Sequence, residues 1–149
     1  MSGYRTLHLD DVPTVRFPGD DALPDWKPVR HHLGVGAFGT NAFVAEQAGE
    51  VVIERHDELP GGDDAAGHEE LYLVVGGAAR FTVGDDVFDV PTGGIVHLAD
   101  PALVREAVAL EPGTVVFAVG AARGEAFVPS AWEDEFLRKA ADGDAPPAA

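Results

Sequence analysis

The sequence predicts an all-β domain of the barrel or sandwich kind, with an N-terminal arm before it and one short helix after it. Three observations carry that expectation. Apolar runs of strand length recur at residues 42–44, 51–53, 71–75, 80–83, 87–90, 95–98, 103–110 and 115–119. Turn-forming residues separate them, among them Gly76-Gly77, Gly84-Asp85-Asp86 and Pro112-Gly113. A helical pattern occurs only near the end, from Ser130 to Lys139. Short strands punctuated by Gly and Pro mark closed or double-layered β folds.

The elements follow in chain order. Residues 4–12 alternate and read as a first strand, and residues 13–28 hold four prolines and several aspartates and read as irregular. Residues 1–28 therefore form the arm. From Val29 the pattern becomes β-like, and residues 29–128 form the barrel, with residues 29–33 taken as a strand. The acidic stretch 59–67 (LPGGDDAAG) is an exposed loop. Gly84-Asp85-Asp86 between two strand-like runs signals a hairpin. Residues 129–140 form the helix: Ser130 with Glu133 three residues on makes a capping box, and Trp132 and Phe136 share one face. Residues 141–149 read as a disordered tail.

Composition removes several classes of function. The chain has 149 residues, 46% of them hydrophobic, which suits one domain with one core. It has no cysteine, so disulfides, thiolate zinc sites and thiol nucleophiles are all excluded. Serine occurs only at 2 and 130 and lysine only at 27 and 139, which leaves little for covalent catalysis. A net charge of −16 without a Lys/Arg cluster argues against nucleic acid and anionic membranes as partners. No secretory layout opens the chain, so a cytoplasmic location is expected.

One motif misleads by its letters. Gly34-Val35-Gly36-Ala37-Phe38-Gly39 spells the dinucleotide fingerprint, but that fingerprint needs a strand before it and a helix after it. Here residues 40–44 read as β, so the glycines belong to turns or tight packing.

The informative stretch is His68-Glu69-Glu70-Leu71-Tyr72-Leu73-Val74-Val75-Gly76-Gly77, followed by residues 78–83 and 87–94. With residues 88–98 (FDVPTGGIVHL) it resembles the cupin superfamily over residues 49–119. The resemblance implies a double-stranded β-helix, or jelly-roll barrel. In its first motif two histidines one residue apart precede a glutamate and then a glycine. Glu70 and Gly76 match the last two. The paired histidines are replaced by His56-Asp57-Glu58, and Arg105 falls near the place of the second motif's histidine, with His97 on the preceding strand. The metal signature is thus degenerate.

Strand alternation places His56 with Glu58, and His68 with Glu70, Tyr72 and Val74, on shared faces. The expected ligand-binding residues are His56, Glu58, His68, Glu70, Tyr72, His97 and Arg105. His56, Glu58, His68 and Glu70 are candidate ligands for a divalent metal, iron, manganese, nickel or zinc. The same residues allow a metal-free pocket in which Arg105 offers its fork to an acidic ligand. An arginine beside a divalent cation repels it, which favours the metal-free form. Two readings follow. One is a small-molecule-binding cupin without a tightly bound metal. The other is a metal-dependent enzyme, a dioxygenase or an isomerase. A metal-free epimerase with His68 or His97 as base is a third. The resemblance also implies a homodimer, with residues 4–12 adding a strand to a partner. His8 is expected to be exposed, and His31-His32 are not expected to be ligands.

Overall fold

A computed structural model describes residues 3–60 and 67–142, with side chains to residue 138. Most of the acidic loop and the end of the tail, residues 143–149, lie outside the described residues. Among the described residues, nine strands form two antiparallel sheets. The strands are β1 (Asp25–Lys27), β2 (Gly39–Val44), β3 (Val51–His56), β4 (Glu69–Gly76), β5 (Ala78–Val83), β6 (Asp86–Pro91), β7 (Ile95–Leu98), β8 (Arg105–Ala109) and β9 (Val115–Ala121). One sheet has the order β1-β2-β9-β4-β7 and the other β3-β8-β5-β6. Two helices, α1 (Val29–Leu33) and α2 (Ala131–Asp142), complete the described chain. The expected hairpin is present: Val83 pairs with Asp86 across Gly84-Asp85. No helix among the described residues is long and apolar enough to cross a membrane.

Alternation builds the core. Tyr72 and Val74 from β4, Phe81 from β5, Val90 from β6, Leu98 from β7 and Ala107 from β8 turn inward and pack as one cluster. Residues between them face out, as the period of two in a strand requires.

Two segments differ from the sequence expectation. Residues 4–12 do not form a strand. They carry a short 3-10 turn, Leu9–Asp11, in which the His8 imidazole accepts from the Asp10 N–H and Asp11 accepts from the His8 N–H. The local hydrogen bonds of these polar side chains compete successfully with strand formation. Val12 is then buried against Val29 and Ala42 on the outer side of β2.

Residues 29–33 form a helix rather than a strand. Pro28 precedes the helix and Gly34 closes it in the left-handed conformation at φ 72°, with its N–H bonded to the Arg30 and His31 carbonyls. Proline before and glycine after a short apolar i, i+4 pair is a helix signature. His31 and His32 are exposed. The residues read as arm also contribute β1, whose Trp26 lies opposite Phe43 of β2.

Helix α2 docks through aromatic rings and one buried ion pair. Trp132 meets Trp26 edge-on at 5.0 Å, and Phe136 meets Phe17 at 4.8 Å. Glu133 bonds its N–H to the Ser130 carbonyl, while its carboxylate reaches across to Arg30 Nε on α1 at 2.9 Å. Burial raises the Glu133 pKa above its ordinary value, and Arg30 opposes that shift. Breaking one side of a buried pair leaves an uncompensated charge. Arg30→Met should therefore destabilise the protein by about 3 kcal/mol, measured by urea unfolding. The exposed Arg80–Asp89 pair is the control, and Arg80→Met should leave the unfolding midpoint nearly unchanged. Equal losses in the two variants would refute the structural role of the Arg30 contact.

Candidate functional site

Strand β4 forms one wall of the site by alternation. Glu70, Tyr72 and Val74 face the barrel interior, while Leu71 and Val75 are exposed on the other side. Glu70 lies opposite Gly120 of β9 and Leu98 of β7, and Tyr72 lies opposite Ala118 and Val96. The second sheet supplies the cations. His56 closes β3 directly opposite Arg105 at the start of β8. Glu58 follows two residues later, fixed by its N–H to the Pro101 carbonyl at 2.8 Å.

Three groups meet at one oxygen. Glu70 Oε2 accepts a hydrogen bond from the Tyr72 hydroxyl. Arg105 Nε lies 3.7 Å from the same atom and His56 Nε2 lies 3.8 Å from it. His56 Nε2 is also 3.4 Å from Glu58 Oε1, and its Nδ1 is 2.8 Å from the Glu54 carbonyl. Both ring nitrogens therefore face acceptors, which suits an imidazolium. Burial pulls the His56 pKa down, but hydrogen bonds to Glu58 and Glu70 outweigh it and raise the value to about 10. Burial, then the Glu70 charge, holds the Tyr72 phenol well above its ordinary range, so the hydroxyl remains a donor.

His68 is buried beside this group. Its Nε2 lies 3.0 Å from the Val128 carbonyl, its ring stacks on Phe127 at 5.3 Å, and its Nδ1 is 3.9 Å from Glu58 Oε2. A cavity of about 400 Å³ opens above these residues, lined by His56, Glu58, His68, Glu70 and Tyr72. Trp26, Phe43, Phe127, Trp132 and Phe136 line its aromatic side, so α2 and the N-terminal segment roof the barrel mouth. Glycine makes room for the floor. A Cβ on Gly120 would stand 3.2 Å from both the Glu69 carbonyl and Glu70 Cγ.

Six of the seven expected residues face the barrel interior, and five of those line the cavity. His97 is not among them. It lies opposite Leu71, on the outer face, where it hydrogen-bonds Glu69 at 2.6 Å. One position along a strand decides this, because His97 falls between the inward Val96 and Leu98. Arg105 faces inward but is wholly buried and does not line the cavity. Its guanidinium lies against Glu70 rather than open to an acidic ligand, and Nε, Nη1 and Nη2 have no hydrogen-bond partner.

The architecture has close counterparts among solved structures. A cupin protein from Bacteroides fragilis superposes with a TM-score of 0.58 at 13% identity, covering 84% of this chain and 89% of that one. An uncharacterized conserved protein with a double-stranded beta-helix domain from Klebsiella pneumoniae subsp. pneumoniae gives 0.56 at 20% identity, covering 83% and 93%. The chain has the cupin fold. A sugar phosphate isomerase from a cupin superfamily, from Silicibacter pomeroyi, also matches, at 0.58 and 14% identity over 81% and 83%. No family model matches the sequence, and no curated protein does.

Within this cupin barrel, sequence reasoning missed the aromatic and amide part of the cavity. Trp26 and Asn41 both line it, and both carry a buried polar atom without a partner, Nε1 and Oδ1. Thr40-Asn41 leading into the apolar Ala42-Phe43-Val44 was the available signal, since buried amides need partners.

Two outcomes follow from this geometry. His56 has a folded pKa above its unfolded value near 6.5. Its contribution to stability is thus complete below about pH 6.5 and is lost as pH rises through about 10. An NMR titration of the imidazole carbon-bound protons should show His56 still protonated at neutral pH, with Glu58→Gln lowering its midpoint. A wild-type midpoint near 6.5 would refute the arrangement. Gly120→Ala should cost about 1–3 kcal/mol in thermal or urea unfolding, because backbone on one side cannot yield. An unchanged midpoint would show that the cleft tolerates a methyl group.

Proposed function

We propose that the protein binds a small molecule in this cavity and holds no tightly bound metal. The observation that carries this reading is the crowding at Glu70 Oε2. That oxygen already faces the Tyr72 hydroxyl, Arg105 Nε and His56 Nε2. Two carboxylates, Glu58 and Glu70, stand against one guanidinium and one imidazolium, so the site balances its own charge. A divalent cation would have to displace the His56 proton and sit near a fixed positive group. A cavity of about 400 Å³ is in the range of small-molecule sites.

One observation favours a second reading, a metal-dependent enzyme. Ligand atoms of His56, Glu58 and Glu70 lie within 4.8 Å of one another. One nitrogen and two carboxylates fit iron, manganese, nickel or zinc. His56 Nδ1 on the Glu54 carbonyl is the outer contact that orients a ligating imidazole. A metal held there would supply Lewis acidity. His68, with Nε2 on the Val128 carbonyl, would hold or move a proton at Nδ1. The sugar phosphate isomerase from Silicibacter pomeroyi gives this reading one substrate class.

A homodimer belongs to the proposal as well. Val87 and Ile95, on the outermost strands β6 and β7, are 61% and 60% exposed, and open edges invite pairing. A single-chain mass in light scattering would overturn this part.

Elemental analysis of protein purified without chelators separates the two main readings. We expect metal far below one ion per chain and a melting temperature indifferent to EDTA. One iron, manganese, nickel or zinc ion per chain, lost in both His56→Ala and Glu70→Ala, would overturn the metal-free reading and establish the second.

A further inference from the structure

The cavity described above is chemically two-ended, and the geometry points to an uncharged ligand with an aromatic or alicyclic ring and a hydrogen-bond-donating head. This inference rests on the binding reading and adds the chemical class of the ligand.

Start from the polar atoms that the fold leaves unsatisfied. Glu58 Oε2, Asn41 Oδ1, Thr40 Oγ1 and Trp26 Nε1 are buried, belong to residues lining the cavity, and have no hydrogen-bond partner. The first two are acceptors, the hydroxyl is either, and only the indole is strictly a donor. Glu58 is 6% exposed and Asn41 8%. An unmade hydrogen bond at such depth is costly, so a ligand that supplies it gains affinity there. The demand is for donors, which hydroxyl and amide N–H groups meet.

Charge then narrows the class. Glu70 Oε2 is occupied by Tyr72, His56 and Arg105, and Glu58 Oε1 faces His56. Of the other acidic residues lining the cavity, Glu133 is paired with Arg30 and Asp57 accepts from the Leu59 N–H. An anionic head, carboxylate or phosphate, would press against Glu58 Oε2 with its counter-charges engaged. A cationic head would meet the His56 ring, whose Nε2 already lies 3.4 Å from Glu58 Oε1 and 3.8 Å from Glu70 Oε2. The Arg105 guanidinium is enclosed behind Glu70 and does not line the cavity, and that of Arg55, which does, is engaged by Glu106 at 3.3 Å.

The other end sets the body of the ligand. Trp26, Trp132, Phe136 and Phe17 form a contiguous aromatic group, with ring centroids 4.8 to 6.4 Å apart. It lines the end of the cavity formed by α2 and the N-terminal segment. A flat apolar ring seats there while its head reaches the floor.

A matched series tests this with the intact protein: 2-phenylethanol, phenylacetate and 2-phenylethylamine, which share a ring and differ in head charge. Binding is read by ligand-observed NMR and by quenching of the emission of the two cavity tryptophans. We expect 2-phenylethanol to bind about tenfold or more tightly than either charged analogue. In Glu58→Gln the amide oxygen still accepts but the charge is gone, so the penalty on phenylacetate should shrink at least severalfold while 2-phenylethanol changes little. Tightest binding by phenylacetate or by the amine, or equal binding by all three, would overturn the ligand class and leave the pocket reading standing. No binding by any member would overturn the pocket reading itself. The wild-type series decides the matter even if the variant does not fold.

Discussion

A carboxylate inside a protein must find positive charge or donors close by, and this constraint organises the barrel mouth. Glu70 projects inward because β4 alternates, and its partners arrive from different parts of the fold. Tyr72 stands two residues along the same strand, whereas His56 and Arg105 are cross-strand neighbours in the other sheet. The charged group therefore exists only when the two sheets face each other. Such clusters are weak stabilisers, since desolvating each ion costs as much as the pairing returns. A barrel with apolar side chains at those positions would fold at least as well, so the cluster points to use of the hollow.

The same constraint accounts for how Arg105 differs from the sequence expectation. As a residue near the place of a second-motif histidine, it read as a fork for an acidic ligand. In the fold it is enclosed and spends its charge on Glu70, although its three nitrogens make no hydrogen bond. It neutralises rather than recruits. That change removes the Arg105 fork as a receptor for an acidic ligand.

The period of two made much of this legible beforehand. Glu70, Tyr72 and Val74 on one face, and His56 near Glu58, required only alternation and a short span. The hairpin at Gly84-Asp85 and the turn at Pro112-Gly113 were readable from turn chemistry. Three things were not. His97 depended on the phase of a four-residue strand, where a shift of one residue exchanges inside for outside. Helix α1 was hidden because five residues carry too little periodicity to distinguish helix from strand, and only the flanking Pro28 and Gly34 marked it. The N-terminal 3-10 turn rests on side-chain bonds of His8 and Asp11 that no hydropathy pattern records.

The roof of the cavity links ligand binding to the folding of the chain's end. Trp132, Glu133 and Phe136 belong to α2, yet they also line the cavity, so the helix face that docks is partly the face a ligand would touch. Its docking relies on a few rings and on Arg30–Glu133, a contact between residues 103 apart in sequence. A ligand that contacts the docked helix but not the undocked one must stabilise the docked state by mass action. With the proposed ligand, the aromatic end would do two jobs with one surface, holding the roof when the cavity is empty and the ring of a guest when it is filled. Of the polar floor, Glu70 and Tyr72 stand on β4, which is paired with β7 and β9, whereas His56 ends β3 at the edge of the other sheet.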